Sequence, residues 1–75
     1  MNIFECSQGC KAKVVKIDAQ GELKQRLLSF GIIKGAEIEV LTYAPAKATI
    51  EIQVAKMKIA LRSEEAKLIQ IQKVA

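Results

Sequence analysis

Three stretches of this chain alternate apolar and polar side chains with period two, and in 75 residues they leave little room for anything but a small β structure. Ile38, Val40 and Thr42 share a face, with Glu37, Glu39 and Leu41 opposite. Ile50, Ile52 and Val54 share another, with Glu51 and Gln53 opposite. Met57, Ile59 and Leu61 share a third, with Lys58, Ala60 and Arg62 opposite. Such alternation marks strands packed on one side and wet on the other. Ala55-Lys56 separates the last two runs at two-residue hairpin spacing. Neither residue favours positive φ, so the reading points to a type I turn with a bulge.

The remaining elements follow from local signals. Residues 12–17 are rich in Val and Ile between turn residues and read as a first strand. From Glu22 the period becomes helical: Leu23, Leu27 and Phe30 fall on one stripe, and Gly31 stands where a left-handed capping residue is expected. Ser63-Glu64-Glu65-Ala66 reads as a cap and one helical turn, Ser63 accepting backbone N–H groups. Residues 68–74 close with a strand, Ile69 and Ile71 inward. Five short strands are too few for a two-sheet sandwich. The pattern therefore predicts a mainly β fold, a small, strongly bent SH3-like barrel of about five strands. A short helix follows the first strand and one helical turn precedes the last. Residues 1–75 make a single domain on this reading, since domains commonly run to about 100–150 residues and split only well above that.

Composition narrows the chemistry. His and Trp are absent, Tyr occurs once and Phe twice. The commonest general base and metal ligand is therefore missing, as are the aromatic platforms that hold single-stranded nucleic acid or proline-rich peptides. An enzyme is not expected, nor is a cofactor. No apolar run approaches the roughly 20 residues of a membrane span. Glu5 and Asp18 interrupt any signal peptide, so the cytoplasm is the expected location. Two cysteines are too few for a secreted disulfide framework.

The segment Arg26-Leu27-Leu28-Ser29-Phe30-Gly31-Ile32-Ile33-Lys34-Gly35 resembles the "RL…GI..G" signature of the ferrous-iron transport protein A (FeoA) family. Residues 59–69 resemble that family's "iaLr..eA..I" ending, and Ala44-Pro45 falls where the family often has an Ala-Pro pair. The likeness runs from about residue 3 to residue 71. It implies an SH3-like accessory protein of FeoB, the ferrous-iron permease with a cytosolic GTPase domain. The chain would meet the membrane only through that partner; weak self-association is allowed for. A similar barrel ends the iron-dependent repressors, but those carry a DNA-binding domain first. With Met1 so close to the barrel, the stand-alone form is expected. There are departures: Lys34 replaces a frequent Pro, Lys47, Ala48 and Thr49 replace a Gly-Asp-Pro loop, and Ala55-Lys56 lacks the usual hairpin glycine.

Candidate sites divide by chemistry. Cys6 and Cys10 are a spacing of four apart, and two thiolates are weak candidates for binding Zn²⁺ or Fe²⁺. Without His the ligand set is incomplete, so Cys6 is expected as a small buried apolar residue, and a disulfide is not expected in a reducing compartment. Arg26 invites comparison with an arginine finger, but a helix arginine paired with an acid is the plainer reading. Arg62 reads as a strand-end residue opposite Glu39 or Glu51. The apolar surplus is more informative. Leu28, Ile32 and Ile33 flank the buried stripe, and Leu41 and Tyr43 fall on an outward face. With Arg26, Lys34 and Gly35 they form the expected partner-binding surface. Lys11, Lys13, Lys16, Lys56, Lys58 and Arg62, in a chain of net charge +4, support the alternative of a small basic nucleic-acid-binding barrel.

Overall fold

The computed structural model describes residues 1–45 and 48–74. Lys47, one of the loop departures, lies outside the described residues. A 3-10 turn (Ile3–Glu5) leads into β1 (Lys11–Ile17), α1 (Gly21–Ser29), β2 (Glu37–Tyr43), β3 (Thr49–Val54), β4 (Met57–Arg62), α2 (Ser63–Ala66) and β5 (Ile69–Lys73). The strands form one sheet in the order β4-β3-β2-β1-β5, antiparallel throughout. Its extents, 28 × 27 × 23 Å, are nearly isotropic because the sheet curls around a single core. Val14, Val40, Ile50, Ile52, Leu61 and Ile69 meet there, with Leu27 laid across them by α1. The two sheet edges, β4 and β5, are joined by α2 rather than by a ladder.

Two β-bulges break the alternation. The β2–β3 register shifts between Val40 and Thr42, so Leu41 is the extra residue and the phase reverses beyond it. Thr42 pairs with Glu51 and points outward; Tyr43 pairs with Ile50 and turns in. This corrects the expectation that Tyr43 lies outward with Leu41 and Thr42 inward with Val40. The second bulge, between Val14 and Lys16 in the β1–β5 ladder, leaves Val15 exposed.

The hairpin differs from expectation too. Val54 pairs with Met57, so the loop holds only Ala55 and Lys56, and Ala55 takes φ +55°. At this end of β4 Met57 is exposed rather than inward. Ser63 is not the acceptor that starts α2. Glu65 reaches back instead, its carboxylate accepting from the Arg62 backbone N–H at 2.9 Å. Arg62 faces Thr49 across the ladder and ion-pairs with Glu64 at 3.9 Å, not with Glu39 or Glu51.

Cys6 and Cys10 are buried, as expected for Cys6, but they are joined in a disulfide. The turn between them explains the pairing. Gly9 at φ +86° and the Cys10 N–H to Ser7 carbonyl bond (3.0 Å) fold the chain back. The two Cα atoms come within 5.8 Å, inside the span a disulfide bridges.

Candidate functional site

The end of α1 fixes the site. Phe30 caps the helix after Ser29 and Gly31, at φ +87°, reverses the chain. The Ile32 N–H bonds to the Leu27 carbonyl (3.1 Å) and the Gly31 N–H to the Leu28 carbonyl (3.0 Å). These are the two bonds of a Schellman cap, which brings together the apolar residues at its two ends. Here they are Leu27 and Ile32, both fully buried. Ile32 therefore belongs to the core. Ile33, next along, points away and is 49% exposed. The loop is then pinned to β1: the Gly35 N–H donates to the Val14 carbonyl (2.7 Å), and the Val14 N–H to the Ala36 carbonyl (2.8 Å).

Ile33 stands at the rim of an apolar groove of about 560 Å³, lined with Phe30, Ala36, Val54 and Met57 and bordered by Glu37 and Ala55. Met57 is 51% exposed. Alternation along β4 hides Met57 as a site residue; its place beside a two-residue turn is the signal that the strand end is open.

The predicted surface residues separate into groups. Leu28, Ile33, Lys34 and Gly35 gather around the loop, Leu28 half-buried and the others exposed. Arg26 leaves the loop side: its guanidinium donates to the Glu65 carboxylate of α2, the plainer reading of that arginine. Leu41 and Tyr43 lie toward the other end of the seven-residue β2 from Glu37, and a strand of that length is roughly 20 Å long. Leu41 is half-buried. The Tyr43 ring meets Phe4 edge-on at 5.9 Å, and its hydroxyl is aimed at the Phe4 carbonyl (3.1 Å) and the Cys6 carbonyl. Burial raises its pKa above the ordinary 10.0.

The basic residues of the alternative reading are interleaved with acids. Lys11 lies across the ladder from Glu39 and Lys13 from Glu37, which breaks up a continuous phosphate-binding stripe. Among the described residues no three metal-ligating side chains converge, so Cys6 and Cys10 gain no third ligand. No described helix is long and apolar enough to cross a membrane.

Comparison with known proteins agrees with this architecture. The FeoA domain family matches residues 1–73. The Campylobacter jejuni Fe(2+) transport protein A is 39% identical over 71 residues, 95% of this chain and 96% of that protein. An Fe(2+) transport protein A/Fe(2+) transporter FeoB fusion protein of Porphyromonas gingivalis is 26% identical over 72 residues, 96% of this chain but 8% of the fusion. The zinc complex of Stenotrophomonas maltophilia FeoA, described as a procaryotic SH3 domain protein, superposes with TM-score 0.84 at 26% identity. It matches over 96% of this chain and 89% of that one.

Proposed function

The chain belongs to the FeoA family, and from that premise we propose that it is a cytoplasmic accessory protein of ferrous-iron uptake, binding an FeoB-type permease on its cytosolic side. It works by binding rather than by catalysis. A domain of this kind alters a transporter by holding one of its conformations more tightly than another, which shifts the equilibrium between them.

The observation that carries the reading is the groove beside Ile33: a side chain 49% exposed, next to a second, Met57, 51% exposed, over an apolar floor. Large apolar side chains gathered at one groove on a small domain are what a partner covers. The fusion relative supports the choice of partner, since its name joins a protein of this kind and FeoB in one chain. Leu28, Lys34 and Gly35 extend the contact along the loop.

The test is substitution at the rim. Ile33→Asp leaves the barrel folded, because Ile33 is outside the core, and removes binding to the detergent-solubilised permease. A folded Ile33→Asp variant that binds normally overturns this site.

A further inference from the structure

On the other side of the same loop lies a second groove, of about 380 Å³, formed where α1, β1 and the loop meet. Its floor is apolar: Val15 and Ile17 from β1, Leu28 from α1. Three lysines also line it, Lys16 from β1, Lys24 from α1 and Lys34 from the loop.

This convergence has structural causes. The bulge in β1 turns Val15 outward, 38% exposed. Lys24 and Leu28 are four apart on α1 and share one side of it. Glu22, two positions before Lys24, faces about 200° away round the helix. Arg26 is held off on the opposite flank by Glu65. The cap that buries Ile32 lifts Lys34 to the rim.

The countercharge is small. Lys16 is 3.5 Å from Asp18, a pair that is largely exposed and so weakly coupled. Lys24 and Lys34 have no carboxylate within ion-pair distance among the described residues.

From this we infer that the groove between α1 and β1 is a docking site for an acidic protein segment, carboxylates on Lys16, Lys24 and Lys34 and one apolar side chain on the Val15–Leu28 floor. It rests on the partner reading above and adds the chemistry of the segment to it. Charge complementarity selects the sign of the occupant, and concavity selects its class. A peptide side chain enters a groove of this size, whereas a membrane surface meets only its rim. Screening by salt follows, because the cations are exposed.

The experiment is an amide-shift titration of the labelled chain with a short synthetic peptide of glutamates around a single leucine, and separately with phosphatidylglycerol vesicles. The peptide shifts Val15, Lys24, Leu28 and Lys34, the effect fades at about 0.5 M salt, and the folded Lys24→Glu/Lys34→Glu variant loses at least about tenfold in affinity. The same variant loses affinity for the solubilised permease by a similar factor, while Lys58→Glu, on β4, does not. A peptide that leaves the groove residues unmoved, or a charge-reversed variant that binds peptide and permease normally, overturns the proposal. So does a response to vesicles alone. None of these touches the Ile33 test, which decides the permease reading separately.

Discussion

Ala55 carries a side chain in the left-handed region at φ +55°, where an L-residue costs roughly 1–2 kcal/mol. The turn requires it, because Val54 is already paired with Met57 and two residues must close the hairpin. Ala55→Gly is therefore predicted to stabilise the chain by about 0.5–1 kcal/mol, read as a higher urea midpoint at unchanged slope. Gly31→Ala goes the other way. A Cβ there meets only Val54 Cγ1, at 3.6 Å, so the expected loss of about 1 kcal/mol is conformational rather than steric. Tyr43 gives a pH test. Its folded pKa lies above 10.0 through burial, so the folded state holds the phenol proton more tightly than the unfolded chain. That contribution is complete below about pH 10 and is lost as pH rises through the folded value. Tyr43→Phe costs about 1–2 kcal/mol at neutral pH, from carbonyls left without a donor, and removes this part of the alkaline decline in denaturation midpoints.

At the scale of elements, α2 has four residues and no stability of its own. Glu65 holds it, accepting from the Arg62 backbone N–H and from the Arg26 guanidinium. Glu65→Ala removes both contacts and is predicted to cost about 2 kcal/mol, more than Arg26→Ala, in urea unfolding. These elements differ in how far they could be read from sequence. The three alternating runs, the helical stripe and its glycine cap are visible because each repeats a spacing. The bulges at Leu41 and Val15 are not, since one extra residue reverses the phase without any local mark. Strict alternation therefore puts Tyr43 on the wrong face and leaves the exposed Val15 unmarked. Apolarity alone does not distinguish Ile32 from Ile33. Leu27 and Ile32, five apart around Gly31, carry the signal that separates them, because a Schellman cap pairs those positions. The Arg26–Glu65 contact joins residues 39 apart, which no local pattern encodes.

For the molecule as a whole, the loop from Gly31 to Gly35 is a ridge between an apolar groove and a lysine-lined one. The apolar groove borders Glu37, at the other end of β2 from the Phe4–Tyr43 contact. A partner is predicted to cover this ridge and to leave the Phe4–Tyr43 end of β2 free. The direct measurement is an amide-shift titration of the labelled chain with full-length, detergent-solubilised FeoB-type permease, with and without guanine nucleotide. Shifts or broadening concentrated on Leu28, Phe30, Ile33, Lys34 and Met57, with Phe4 and Tyr43 unmoved, are the predicted result. A flat response in every nucleotide state, or changes centred on Leu41 and Tyr43, would contradict it.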